Sequence, residues 1–113
     1  VDGSAYHLEL SNEYEQLYVT DNKVVVSGLV ETNYSLFNGI DDANNDISAI
    51  TVSIDDGREC KIENYDVNYT GKTNSGITIS PIDKKVSIVF NAGQTISERD
   101  IKAKFSIKTK NGI

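Results

Sequence analysis

Apolar and polar residues alternate with period two along most of this chain, and turn residues interrupt the alternation about every ten positions. Successive side chains of a β-strand point to opposite faces, so this rhythm suits strands with one buried face. No stretch sustains the 3.6-residue rhythm of a helix. The last strand is the clearest: Ile101, Ala103, Phe105 and Ile107 fall on one face, Lys102, Lys104, Ser106 and Lys108 on the other. Next comes the run that puts Ile50, Val52 and Ile54 against Ala49, Thr51 and Ser53, closed by the hairpin signal Asp55-Asp56-Gly57.

The same reading predicts strands at residues 6–10, 16–20 and 23–31, with a turn at Asp21-Asn22 and a bulge or close backbone approach at Gly28. Residues 32–46 read as polar and irregular. Cys60 with Ile62, and Tyr65 with Val67 and Tyr69, form two runs one step out of phase, which a break near Asn64 would reconcile. Residues 71–76 read as a turn. Ile77 and Ile79 precede Pro81, which ends or edges its strand, and Val86, Ile88 and Phe90 follow before a turn at residues 92–94. About eight short strands with frequent turns predict an all-β, antiparallel β-sandwich of Ig-like or Greek-key type, with a small barrel as the competing architecture. At 113 residues the chain is expected to form one domain with one core, residues 1–113, excised from a larger protein.

Composition narrows function by exclusion. Lys plus Arg number 11 and Asp plus Glu 17, for a net charge of -6, which disfavours nucleic acid as a partner. No apolar run approaches the ~20 residues of a membrane span. Charge is uneven: residues 1–46 carry -8 and residues 47–113 carry +2. A single Cys excludes an internal disulfide, and one Cys with one His cannot build a structural zinc site. His7 has no nucleophile motif beside it, Cys60 reads as a buried thiol, and the glycines are isolated turn residues rather than a phosphate loop. Nothing singles out a catalytic pair of carboxylates, so no catalytic residue and no enzyme are expected.

Two groups invite a binding role. Asp41, Asp42, Asn44 and Asp46 bring four oxygen donors into six residues, and Asp42-x-Asn44-x-Asp46 matches the start of an EF-hand loop. Ile47 then stands where that loop needs Gly, and Ser53 where it needs a bidentate Glu. A looser Ca²⁺ site is the alternative to an ordinary solvated turn. No cofactor other than Ca²⁺ is implied. Tyr14 and Tyr18 share the strand face opposite Leu17 and Val19, where exposed rings would stack on sugars or anchor a protein. The lysine stripe on the last strand reads as a solvated face or, on a sheet edge, as a guard against sheet-to-sheet association.

Val26-Ser27-Gly28-Leu29-Val30, then Asn64-Tyr65-Asp66-Val67-Asn68-Tyr69 and Gly76-Ile77-Thr78-Ile79-Ser80-Pro81, together resemble the repeated β-domains of large bacterial surface proteins, the Ig-like and MBG/YDG-type modules. Residues 25–57 are similar to bacterial Ig-like repeats. The acidic loop and Cys60 depart from that pattern. The resemblance covers about half the chain. It implies an extracellular or cell-surface module serving as spacer, stalk or adhesion unit toward a protein or carbohydrate ligand. Two rival expectations are a carbohydrate-binding module that uses the tyrosines and a structural Ca²⁺, and a pilus or phage-tail subunit that pairs through an edge strand.

Overall fold

The structure is a computed structural model that describes residues 6–13, 17–22, 24–96 and 101–110. Among these residues the chain forms eleven strands and one 3-10 turn, so the all-β reading holds. The strands are β1 (Tyr6–Leu10), β2 (Tyr18–Val19), β3 (Val25–Ser27), β4 (Leu29–Asn38), β5 (Asp41–Asp42), β6 (Ile47–Ile54), β7 (Glu59–Ile62), β8 (Lys72–Asn74), β9 (Ile77–Ser80), β10 (Lys85–Val89) and β11 (Ala103–Thr109). The turn, Asn44–Asp46, leads into β6. Every pairing is antiparallel.

Two layers face each other. One has the order β1-β4-β10-β9-β8, with β5 beside β4, and the other the order β11-β6-β7. β2 pairs with β3 at one end. The β6–β7 hairpin is inserted between β4 and the meander β8–β9–β10. Strand direction defines two ends: a near end at Asn38 and Ile47, and a far end at Leu29 and Ile54. Residues 24–38 run almost unbroken between them. At roughly 3.3 Å per residue such a run spans about 50 Å, matching the 51 Å long axis of the molecule.

Local phase breaks keep apolar residues inward. Val25 and Tyr34 are both buried although nine positions apart, an odd number that strict alternation would send to opposite faces. Gly28 absorbs the odd step. A Cβ there would lie 2.6 Å from Phe90 Cβ and 2.8 Å from the Phe90 carbonyl oxygen, so the residue marks a backbone approach that only glycine allows. The second break lies in β6. Ile47 and Ile50 are fully buried though three apart, because the register shifts between Lys108 and Thr109 and the Ser48 hydroxyl donates to the Lys108 carbonyl at 3.2 Å. Ser75 and Gly76, with φ of 55° and 79°, supply the two positive-φ positions of a tight hairpin between β8 and β9.

The core lies between the layers. β6 contributes Ile47, Ile50, Val52 and Ile54, β7 Cys60 and Ile62, β9 Ile77 and Ile79, β10 Val86 and Ile88, β4 Tyr34 and Leu36. Each fully buried aliphatic side chain of this kind stabilises the fold by roughly 1.5–3 kcal/mol relative to an exposed one. One lateral side is closed by side chains: Lys72 Nζ donates to the Lys61 carbonyl at 2.7 Å and Asn74 Nδ2 to the Glu59 carbonyl at 2.6 Å, tying β8 to β7 across the layers.

Three expectations are corrected. Residues 32–46 are not irregular: β4 continues to Asn38 with Thr32, Tyr34 and Leu36 inward, and β5 folds back on it. Tyr65, Val67 and Tyr69 do not form a strand; residues 63–70 cross from one layer to the other, with Tyr65 buried and Tyr69 exposed. Residues 71–76 contain β8 as well as a turn.

Replacing Gly28 by Ala is expected to destabilise the protein by roughly 1–3 kcal/mol, the usual range for overpacking. Urea unfolding measures this; a loss below 0.5 kcal/mol, on the order of a neutral surface change, would contradict the close approach.

Candidate functional site

The acidic loop is built into the near end. Asp42 Oδ1 accepts hydrogen bonds from the Asn44 backbone N–H and from Asn44 Nδ2, both at 2.9 Å. This fold-back drives the Asn44 side chain inward, where its Oδ1 accepts the Leu36 N–H at 2.9 Å and the residue is buried. Ala43 N–H donates to the Leu36 carbonyl, so Leu36, beyond the end of β10, has both backbone groups satisfied from this loop. Asp46 Oδ2 accepts the Tyr6 hydroxyl at 2.9 Å, and its carbonyl accepts the Lys110 N–H at 2.7 Å. Asp41 pairs with Asn38 in the β4–β5 ladder.

The structure thus brings Asp42 and Asn44 together and gives Asp46 a separate partner. Among the described residues no group of three or more His, Cys, Asp or Glu is placed to hold a metal ion. The loop's visible work is to seal β4 and to gather the first and last described strands at Asp46.

Tyr18 stands on β2 at the far end, 73% exposed, as the alternation suggests. Tyr14 lies outside the described residues. Val19 is exposed as well, because β2 is only two residues long and its register to β3 is irregular. Sequence reading missed three further exposed apolar residues at the far end. Leu29 and Val89 are directly opposite across β4 and β10 and both point outward, and Val26, on the far side of the Gly28 break, shares that outer face. Val26 and Leu29 are 59% and 56% exposed. An apolar cluster of this kind on a sheet face marks an interaction site more often than scattered single residues do. The discoverable signal was Val24-Val25-Val26, where one of three consecutive valines must face outward.

Arg58 supports the far end from beneath. Its guanidinium lies 4.6 Å from the centre of the Phe90 ring, Nη1 donates to the Val89 carbonyl at 2.7 Å and to the Ser75 carbonyl at 3.2 Å, and Nε bonds Asp56 at 2.9 Å. The turn and β10 are therefore fixed to each other beneath the apolar cluster.

The outer face of β11-β6-β7 forms a shallow trough of about 530 Å³. Small residues of β6 make its floor. Register places Lys104, Ser53 and Glu59 in one row and Ser106, Thr51 and Lys61 in the next, so β11 lines one wall with lysine and β7 lines the other with both signs of charge. His7 lies on the other layer, stacked 5.4 Å from the Phe37 ring with Nε2 3.1 Å from Glu9 Oε2. Cys60 is buried on β7 and burial pushes its thiol pKa up, which keeps it protonated and a poor nucleophile. No helix among the described residues is long and apolar enough to cross a membrane.

In the core, the Tyr34 and Tyr65 hydroxyls share a 2.6 Å hydrogen bond. Burial raises both phenol pKa values above the ordinary 10. A phenol whose folded-state pKa is raised favours the fold fully below its unfolded value and loses that contribution as pH climbs past about 10.

Comparison of the chain with protein-family models, with curated proteins and with solved structures found no match.

Asn44→Ala is expected to cost roughly 1–3 kcal/mol, by leaving the buried Leu36 N–H without an acceptor. Urea curves of the wild type in Ca²⁺ and in excess EDTA test the Ca²⁺ expectation: a Ca²⁺-dependent rise near 2.7 kcal/mol, about the gain at a hundredfold excess over Kd, would place a cation in the loop, and coincident curves would leave it an ordinary turn. Absorbance at 295 nm should show Tyr34 and Tyr65 ionising only with alkaline unfolding. Their removal by Tyr→Phe should delete that late phase and leave the early phenols unchanged.

Proposed function

We propose that this chain is a non-catalytic adhesion module of a bacterial surface or secreted protein, which presents the apolar far end to a protein partner. One observation carries the reading. Tyr6 and Lys110 both bond Asp46 at the near end, while Tyr18, Val26, Leu29 and Val89 stand exposed at the far end. A longer polypeptide continued from Tyr6 and Lys110 would leave and enter this domain at one point, and the far end would project away from it. That arrangement favours presentation over end-to-end spacing, which needs the two connections at opposite ends.

Energetics fit this role. Large apolar side chains held outward on a rigid frame lose little conformational freedom when a partner covers them; interface energy concentrates in aromatic anchors such as Tyr18, and Val26, Leu29 and Val89 add apolar area. The surface and secreted location rests on the resemblance to bacterial surface repeats. Carbohydrate recognition is the second reading, favoured by the exposure of Tyr18, whose ring would stack on a sugar face.

Beads coated with the wild-type domain are expected to adhere to cells or to immobilised extracellular-matrix proteins. The triple variant Tyr18→Ser/Val26→Ser/Leu29→Ser is expected to lose adhesion at least tenfold while its stability changes by less than about 0.5 kcal/mol, as for surface positions generally. Equal adhesion by both would overturn the assignment. Wild-type binding to a glycan array, lost in Tyr18→Ser alone, would favour the carbohydrate reading.

A further inference from the structure

The side of the molecule away from β7 and β8 ends in two strands that each lack a neighbour among the described residues, β1 in one layer and β11 in the other. Their backbone groups can be assigned by alternation. Leu36, opposite Leu8, and Tyr34, opposite Leu10, direct their N–H groups away from β1, to Asn44 and to Lys84. Leu8 and Leu10 therefore form non-hydrogen-bonded pairs with β4 and turn their own N–H and C=O groups to the open edge. On β11, the Lys102 carbonyl accepts from Asp55 and the Lys110 N–H donates to Asp46, both on the β6 side. The residues in alternate phase, Phe105 and Ile107, turn theirs outward.

Phase, faces and charge all match between these edges. Leu8, Leu10, Phe105 and Ile107 point toward the core yet stay only partly buried. Glu9 is on the outer face of β1, and Lys104 and Lys108 are on the outer face of β11. An antiparallel pair that bonds the Leu8 and Leu10 backbones to those of Phe105 and its in-phase neighbours keeps all four apolar side chains inward. In that phase Glu9 falls opposite Lys104, or opposite Ser106 with Lys104 and Lys108 on either side. Pairing β11 with a second β11 about Ser106 would set Lys104 against Lys108, and repulsion disfavours it.

We infer that two copies of this chain form a symmetric dimer, in which β1 of each pairs antiparallel with β11 of the other. Direction allows it. β1 runs away from the near end and β11 runs toward it, so a two-fold axis parallel to the strands sets each β1 antiparallel to the other copy's β11. The five-strand layer of one copy then abuts the three-strand layer of the other. The overhanging inner faces of both β1 strands cover each other, and one operation closes all four open edges.

Sedimentation equilibrium between 1 and 500 µM, run at low and at physiological salt, tests this, with far-UV circular dichroism as the folding control. The wild type is expected to dimerise with an affinity that falls as salt rises. Lys104→Glu/Lys108→Glu is expected to weaken the dimer at least tenfold, Glu9→Lys likewise, and the three changes combined to restore it to within threefold. Concentration-dependent amide shifts should centre on Leu8, Leu10, Phe105 and Ile107. A monomer at 500 µM, a dimer indifferent to charge reversal, a folded triple variant without rescue, or shifts centred on Tyr18 would each overturn the proposal.

Discussion

Three strands cannot cover four. With neighbouring strands about 4.8 Å apart, the β11-β6-β7 layer is roughly 10 Å from edge to edge, whereas the facing β4-β10-β9-β8 layer is roughly 14 Å across at residues 29–33 of β4, and β1 and β5 flank β4 further along, at residues 34–38. The width mismatch has to be resolved at the sides. On one side Lys72 and Asn74 reach from β8 to the carbonyls of β7, drawing the layers together and sealing Cys60, Ile62, Ile77 and Ile79. On the other side Leu8, Leu10, Phe105 and Ile107 stay partly exposed. The closed side supplies the stability and the open side the reactive edges.

The long axis adds a second asymmetry. The near end is tied down, with Ile40 exposed in its β4–β5 turn: Asn44 completes β4, Asp46 collects Tyr6 and Lys110, and Tyr34 meets Tyr65. The far end carries outward Tyr18 on β2, Val26 and Leu29 on either side of Gly28, and Val89 on β10, whose carbonyl Arg58 holds. Rigid support beneath exposed apolar side chains is the physical basis of the adhesion reading, because anchors already fixed in place lose less entropy on contact.

Much of this frame was legible in the sequence because one face of a strand writes itself as alternation. β6 and β10 were read correctly from Ile50, Val52, Ile54, Val86 and Ile88, and the turn glycines were placed where the chain reverses. The failures share a cause. Thr32, Tyr34 and Leu36 also alternate, but Thr is polar and Asn33 and Ser35 lie between, so local hydropathy looked like a loop. Tyr65, Val67 and Tyr69 alternate without pairing, because the chain there crosses between layers and answers to Ser48 and Ile82 rather than to a neighbouring strand. Asn44 looked like a solvated turn residue, and its burial depends on Leu36, a contact that spacing alone does not reveal. Tyr18 is exposed as alternation predicts, but Val19, predicted inward, is exposed too. The meeting of Tyr6 with Lys110 at Asp46 did not follow from alternation, since it joins residues far apart in the chain.

Residue-resolved amide hydrogen exchange on a dilute sample, where the chain is monomeric, tests the width mismatch most directly. The account requires the N–H groups of Leu36, Val52 and Ile79 to exchange only with global unfolding, and those of Leu8, Leu10, Phe105 and Ile107, which face the open edges, to exchange at nearly unprotected rates. Equal protection of both sets would mean that another part of the chain fills the edges between β1 and β11, and would contradict the open-sided sandwich.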